Sequence, residues 1–403
     1  MVIKNKPPRY PRRGPSCSLV LVAIAIVTAS GYVMVNRDAV RDVIIPTPVP
    51  TPSPSAADYA ILADLSEDDE DYDQAIEYYK TAILLDATKP ELFIRLIDLL
   101  VREKRPEDAL ETADQLAILA PENDKTWLAA AAAYIVNGDR LANTGDTVSA
   151  TLEYDKAAEA AERALAINES ALAYAYAAGG LILQGDADLY EQAQVYADNA
   201  LLLDANSAIG RLYMGKVFEL QQADYLSAIE QYQLGIEADP TLADLYIELA
   251  FNYYATGDTS RAINSFEDAI AVDPDNATAY DGIAFMYLQL GEDALAIENA
   301  IEAVRLDPTM ARAHGRLGQA YFRQFNYPKA KEELEKAVEL YGEITNLNAP
   351  FYSMLGQSYI RASLDDCPKA IPIFQDVLTV NSLATVDAEE GLEECRRAGI
   401  IAP

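Results

Sequence analysis

Residues 246–274 read YIELAFNYYATGDTSRAINSFEDAIAVDP, and this stretch decides the fold. Small residues and aromatic residues recur through it, and Gly257 and Asp258 interrupt the pattern near its middle. Asp273 and Pro274 close it, as expected where one helix ends and the next begins. Small residues suit positions where two helices approach closely, and aromatic rings fill the gap to a neighbouring hairpin. The stretch therefore predicts a pair of packed helices.

The same pattern recurs along the chain beyond residue 56. A small residue early in each predicted second helix marks the repeats: Ala75, Ala109, Ala157, Ala193, Ala228, Ala262, Ala296, Ala330 and Ala370. Four of the eight successive spacings are 34 residues, and the others are 48, 36, 35 and 40. Self-similarity at a fixed period of roughly 20–50 residues is the signature of a stacked repeat architecture.

These residues give the chain a resemblance to the tetratricopeptide repeat (TPR) family, whose unit has 34 residues. At the family spacing, the quoted unit carries Tyr246, Leu249, Ala250, Tyr253, Gly257, Ala262, Phe266, Ala269 and Pro274. The next unit carries Tyr280, Ile283, Ala284, Tyr287, Gly291, Ala296, Ala303 and Pro308. Later units keep Leu317, Gly318, Tyr321, Leu355, Gly356 and Tyr359.

The resemblance implies an all-α fold in which residues 56–382 form a right-handed α-solenoid of about nine TPR helix-turn-helix units. No unit can bury its apolar face alone, so stacking builds the core. Residues 386–397 are polar on most of their circumference, and residues 383–403 are expected to form a capping helix and tail.

The N-terminal region predicts a membrane anchor. Residues 1–16 carry five basic side chains and no acid, and residues 17–35 contain no charge. A helix of that length reaches about the ~30 Å of a bilayer core, and the positive-inside rule places the N-terminus in the cytoplasm. We therefore expect a single-pass membrane protein with an extracytoplasmic solenoid, raised on a Pro/Thr/Ser-rich linker at 36–55. A cleavable signal peptide is the alternative.

The charge of the chain limits its partners. The formal net charge is −33, and the basic N-terminus leaves about −38 for the remainder. A body this acidic is repelled by phosphate backbones. We therefore expect no nucleic-acid partner.

Two departures from the repeat pattern stand out. About 14 extra residues lie near 140–153, and they either lengthen both helices of one hairpin or form a partner-contacting insertion. Cys367 and Cys395 lie at similar distances from the turn that precedes the capping helix. They are candidates for a disulfide bond, with two unrelated buried thiols as the alternative.

The sequence lacks the residues of the common catalytic and metal sites. His314 is the single histidine and occupies a position where the family usually places a packed aromatic. A histidine-ligated zinc site or a Ser-His-Asp triad cannot be assembled, and the three cysteines are scattered. We predict no enzyme activity, no metal and no cofactor.

The remaining prediction is a binding surface. In the TPR family the first helices line a groove that holds a peptide, and the resemblance places there Phe251, Tyr254, Phe285, Leu288, Arg312, Phe322 and Arg323. Apolar anchors with arginines suit a peptide bearing aromatic or acidic groups. The alternative is that some of these rings pack between neighbouring first helices.

The leading hypothesis is a membrane-tethered scaffold or adaptor that binds a protein or peptide, for instance in envelope assembly or secretion. A self-associating structural spacer is one alternative. An extracytoplasmic, carboxylate-based hydrolase is another, motivated by the density of acidic residues. The sequence does not identify the partner.

Overall fold

The computed structural model describes residues 17–35, 53–380 and 382–399. These residues form helices and turns, and no strand occurs among them. The chain divides into two compact units between Pro54 and Ser55. The all-α prediction is thus confirmed for the described part of the chain.

The first unit contains α1 (Cys17–Val35), and the second contains nine helical hairpins and a final helix. We number the hairpins 1 to 9. Their helices are α2 (Ala56–Asp68), α3 (Tyr72–Leu85), α4 (Pro90–Arg102), α5 (Pro106–Leu119), α6 (Asp124–Asn143), α7 (Thr147–Ile167), α8 (Ala171–Ile182), α9 (Tyr190–Leu203), α10 (Ala208–Gln222), α11 (Tyr225–Ala238), α12 (Ala243–Ala255), α13 (Thr259–Val272), α14 (Ala277–Leu290), α15 (Asp293–Leu306), α16 (Ala311–Arg323), α17 (Tyr327–Tyr341), α18 (Ala349–Ala362) and α19 (Cys367–Val377). The final helix is α20 (Ala384–Arg397). The right-handed sense of the solenoid stays a prediction.

The predicted transmembrane helix, and with it the single-pass localisation, is wrong. A helix does form over residues 17–35, but its 19 residues include Thr28 and Ser30. Crossing a bilayer takes about 20 predominantly apolar residues. Among the described helices, none combines the length and the apolar character that this requires. The basic segment 1–16 and linker residues 36–52 lie outside the described residues.

Local signals set the ends of the hairpin helices. Several second helices begin at a side-chain cap that accepts a backbone N–H, namely at Asp71, Asp146, Asp224, Asp258 and Asn326. The turn before the second helix places one residue in the left-handed region in each of hairpins 1–8: Glu70, Lys104, Gly145, Gly185, Ala223, Gly257, Gly291 and Phe325. Such a residue ends the first helix and reverses the chain.

The hairpins stack in two layers. From α4 to α18, each first helix contacts the next first helix, and each second helix packs on its own first helix and on the following one. Glycines on first helices make room for large side chains of second helices: a Cβ on Gly215 would lie 2.3 Å from the ring of Tyr232, and one on Gly318 would lie 2.6 Å from Leu334. The first helices from α4 to α18 form one layer, and its solvent-facing side is continuous. We call this side the inner surface.

The extra residues at 140–153 lengthen both helices of hairpin 3. Helix α6 has 20 residues and α7 has 21, whereas α12 and α13 have 13 and 14. The tip of this hairpin packs against hairpin 8, since a Cβ on Gly145 would lie 2.6 Å from Cδ1 of Tyr341. In the turn of hairpin 2, Nζ of Lys104 lies 2.8 Å from Oδ2 of Asp273, which follows hairpin 6. The turns of hairpins 2 and 3 therefore contact the ends of hairpins 6 and 8.

A disulfide bond joins Cys367 at the start of α19 to Cys395 near the end of α20, with a Cα–Cα distance of 5.8 Å. Both cysteines are fully buried in the core of hairpin 9. The bond closes 28 residues of chain and ties the final helix to the last hairpin.

Candidate functional site

The residues predicted for the groove lie on three consecutive first helices, α12, α14 and α16, but they differ in accessibility. Leu288 is only 2% exposed and faces the core. Arg323 is exposed, and the others are partly exposed: Phe251, Tyr254, Phe285, Arg312 and Phe322. The inner surface of hairpins 6 to 8 therefore offers partly exposed rings rather than a fully open apolar groove.

The aromatic side chains form a ladder between helices. The rings of Tyr254 on α12 and Phe285 on α14 meet edge to face, with centroids 5.2 Å apart. The guanidinium of Arg316 on α16 lies 4.7 Å from the centroid of Phe285. Each contact bridges one first helix to the next, so the ladder supports the layer while leaving ring surface accessible. Packing between neighbouring first helices is thus observed, and contact with a peptide stays a prediction.

Two further predicted rings pack within their own hairpins. Phe251 meets the fully buried Phe266 edge to face at 5.0 Å. Phe322 meets Tyr327 at 5.5 Å. These contacts hold each ring in one orientation at low entropic cost, as suits a preformed binding surface.

The two predicted arginines are already engaged. Nε of Arg312 donates a hydrogen bond to Oδ2 of Asp281 at 2.7 Å. Arg323 donates to the carbonyl of Leu288 at 2.5 Å, and its Nε lies 3.0 Å from Oδ1 of Asp293. Both arginines are held by contacts within the protein, which reduces their attraction for an acidic peptide, although the Asp281 carboxylate is shared between Arg312 and Arg316.

The sequence analysis missed the centre of this network, Asp281 and Arg316. Asp281 is fully buried, and its carboxylate also pairs with Arg316, which donates to the Asp281 carbonyl at 2.8 Å. Asp281 lies 31 and 35 residues before the two arginines. That separation of about one repeat was the available signal, because it places all three on adjacent first helices.

A second group of charged residues lies on the first helices of hairpins 3, 5 and 6. Nζ of Lys216 on α10 lies 2.5 Å from Oε2 of Glu248 on α12. Asp139 on α6 accepts a hydrogen bond from the hydroxyl of Tyr154 at 2.8 Å. Asp139 and Asp244 are open to solvent, although protein surrounds them on several sides. The inner surface here carries more acid than base.

The proximity of these charged side chains shifts the pKa values of the carboxyl groups. Desolvation raises the pKa of Asp139 to about 7, and the charges of Asp244 and Glu248 add to the rise while Tyr154 and Lys216 oppose it. Desolvation likewise raises the pKa of Asp244 and of Glu248. Carboxylates of hairpins 3 and 6 therefore interact electrostatically, although about a hundred residues separate them in sequence.

Replacing Asp139 by asparagine is expected to stabilise the protein more at pH 8 than at pH 5. The pKa of Asp139 is about 7 when folded, against about 3.9 when unfolded. The folded state thus binds the proton more tightly, and stability falls as pH rises between these values. Asparagine removes this loss and keeps the acceptor for Tyr154. Because solvent screens the group, the gain should stay below about 1 kcal/mol.

Thermal denaturation at the two pH values measures this effect, with Asp155→Asn, exposed on α7, as the matched control. A gain that is equal at pH 5 and pH 8 would contradict the assignment.

His314 is buried and held at both ring nitrogens. Nδ1 lies 2.7 Å from Oε2 of Glu333, and Nε2 lies 3.1 Å from the carbonyl of Pro308. These contacts fix the ring between α16 and α17, in the packing role predicted for it. In the part of the chain that the structure describes, no group of three or more His, Cys, Asp or Glu side chains is arranged to hold a metal ion.

Solved structures with similar helical stacks include yeast Tom70, with a TM-score of 0.44, 15% identity and coverage of 85% of this chain and 96% of that chain. A MamA structure has a TM-score of 0.37 and 22% identity, and covers 43% of this chain and 92% of that chain. The APC/C hetero-tetramer Cut9–Hcn1 has a TM-score of 0.47 and 16% identity, and covers 80% of this chain and 66% of that chain. Among curated proteins, none matches the chain.

Three family models match the sequence. A tetratricopeptide repeat model matches residues 67–134, a TPR repeat model matches 252–291, and a second tetratricopeptide repeat model matches 311–344. The last two ranges contain α14, α16 and the end of α12, including Tyr254, Phe285, Asp281 and Arg316. These parts of the chain match tetratricopeptide repeat models, in agreement with the 34-residue spacing.

Proposed function

We propose that this protein is a non-enzymatic scaffold that binds a polypeptide on the inner surface of hairpins 6 to 8. The observation that carries the proposal is the ladder of partly exposed rings on consecutive first helices, with Tyr254 and Phe285 5.2 Å apart. Rigid aromatic side chains supply much of the binding energy in protein interfaces. Repeats of this type also use their surfaces for protein interaction.

The electrostatics favour a different ligand from the one expected at first. Arg323 is paired with Asp293, and Asp281 is shared by Arg312 and Arg316, so these groups together keep about one positive charge. On α12, Glu248 is paired with Lys216 and Asp244 is exposed. An extended segment with apolar side chains and few charges therefore fits better than a strongly acidic peptide. A role in envelope assembly or secretion stays an untested prediction.

The test is partner capture with the double variant Phe285→Ala and Phe322→Ala. We expect loss of the captured protein by about tenfold or more, since truncating a central aromatic contact commonly costs about 2 kcal/mol or more. Phe325→Ala is the control, because Phe325 is 76% exposed and lies in the turn of hairpin 8. A photo-crosslinking phenylalanine analogue in place of Phe322 should label the same partner directly.

Undiminished capture by the folded double variant, together with no adduct at Phe322, would reject the proposal. Circular dichroism must show the helical content of the parent chain, since Phe285 also contacts Tyr254 and Arg316.

The geometry favours the two alternative functions, a self-associating spacer and a carboxylate hydrolase, less than it favours the scaffold. A self-associating spacer requires an oligomer, and light scattering from a monomer at working concentration would count against it. A carboxylate hydrolase needs paired acids in a water-excluding pocket. Asp139 has the raised pKa of an acid catalyst, but it and Asp244 are exposed to solvent.

A further inference from the structure

A row of exposed aliphatic residues lies at the ends of the early second helices. Helices α3, α5 and α9 each finish with two large apolar residues: Leu84 and Leu85, Ile118 and Leu119, and Leu202 and Leu203. The first of each pair is 86%, 85% and 82% exposed, respectively. We call these six residues the apolar edge. Between them, α7 ends in the exposed Ala166 and Ile167, so the edge continues through hairpins 1 to 4.

The row stops at hairpin 5. Helix α11 ends in Glu237 and Ala238, and the penultimate residue of α15 is Arg305. An exposed apolar residue at one repeat position is ordinary, but here it recurs at the same helix end in four neighbouring repeats. Patches of this kind on soluble proteins mark interaction sites or aggregation hazards.

The equivalent ends of two later second helices, α13 and α17, are contacted within the molecule. The turn of hairpin 2 places Lys104 against Asp273, which follows α13. The tip of hairpin 3 places Gly145 against Tyr341, the last residue of α17. Both contacts bring the turn of a helical hairpin onto the C-terminal end of a second helix. The apolar edge belongs to the earliest hairpins, so fewer preceding hairpins exist to provide such cover.

The charge at the apolar edge is negative. The C-terminal end of a helix carries partial negative charge from its unsatisfied carbonyl groups. None of α3, α5, α7 and α9 has a basic residue in its last turn. Asp86 and Asp204 follow α3 and α9 directly, and Lys89, close to Asp86, is a basic residue at the first of these ends. A ligand for this edge must combine apolar side chains with positive charge.

We propose that the apolar edge docks an amphipathic helix of a partner protein whose aliphatic ridge is flanked by lysine or arginine. The Lys104 contact with Asp273 is the intramolecular example of the same chemistry. A second copy of this chain is a poor occupant because its net charge of −33 opposes close approach. This site is separate from the inner surface and independent of the function proposed for it.

The experiment measures binding of two labelled synthetic helices to the full chain by fluorescence anisotropy. One peptide has leucine at i, i+3, i+4 and i+7 with lysine elsewhere, and the other has glutamate in place of lysine. The test variant is Leu84→Ser, Ile118→Ser and Leu202→Ser. The matched control is Val148→Ser, Leu226→Ser and Leu347→Ser, which are similarly exposed residues away from the edge.

We expect the lysine peptide to bind the parent chain, and the edge variant to weaken that binding about tenfold or more. The control variant and the inner-surface variant Phe285→Ala with Phe322→Ala should bind as the parent does. Equal binding by edge and control variants would mean attraction by net charge alone, and would overturn the proposal. So would equal binding of the glutamate peptide, absence of binding, or a parent dimer that the edge variant abolishes in light scattering.

Discussion

Replacing Asp281 by alanine should lower the stability of hairpins 7 and 8 by about 3–5 kcal/mol, because removing one partner of a buried ion pair leaves an uncompensated charge. The side chain of Asp281 is 1% exposed, and that of Arg316 is 14% exposed. Desolvation already lowers the pKa of Arg316, and Asp281 is the group that opposes this. Without the carboxylate, Arg316 would stay buried beside Arg312 with no anion between them.

Hydrogen exchange of α14 and α16 measures the effect locally, which suits a repeat protein because each repeat contacts mainly its neighbours. Asp275→Ala, an exposed acid in the preceding turn, is the control and should change stability by less than about 0.5 kcal/mol. The double change Asp281→Leu with Arg316→Leu should recover part of the loss, since an apolar pair avoids the cost of desolvation. Equal protection in Asp281→Ala and Asp275→Ala would show that the network contributes little.

Replacing Phe374 by alanine should cost about 3–5 kcal/mol in hairpin 9, the usual range for removing a buried ring. The ring is fully buried between two glycines on other helices. A Cβ on Gly356 of α18 or on Gly391 of α20 would lie 2.4 Å from it. Neither glycine has a side chain that could move in to fill the cavity.

Hydrogen exchange should show lost protection in α18, α19 and α20, with α12 to α15 unchanged. The exposed Phe325→Ala is again the control. The disulfide between Cys367 and Cys395 should keep α20 attached, so reduction should deepen the loss. Unchanged protection of α18 to α20 would contradict the packing of this cap.

Much of the hairpin geometry could be predicted from the sequence. Gly257 and Asp258 were predicted to break the helix, and α12 ends at Ala255 while α13 begins at Thr259. Capping and turn signals act over a few residues, so a local reading captures them. The membrane prediction also rested on a local pattern, but it was wrong. The described helix at 17–35 does not combine the length and the apolar character that a membrane span requires.

The candidate site was predictable only in part. Placing Tyr254 and Phe285 on adjacent first helices followed from the repeat period. The period did not reveal that Leu288 is buried or that Arg312 and Arg323 are already paired with carboxylates of the protein. The arginines are paired because Asp281 and Asp293 lie within reach. Such pairings depend on the directions of side chains between helices, and a residue's position in the repeat does not give those directions.

The sequence by itself determined the repeat unit, the order of its helices and the places where it lengthens, because each follows from patterns within about 34 residues. The tertiary structure decided which distant surfaces meet. Lys104 reaches Asp273 across 169 residues, and the tip of hairpin 3 reaches Tyr341, because small rotations between successive hairpins accumulate along the stack. The pattern within a single repeat does not specify this accumulated rotation. The charged inner surface and the uncovered apolar edge both result from it.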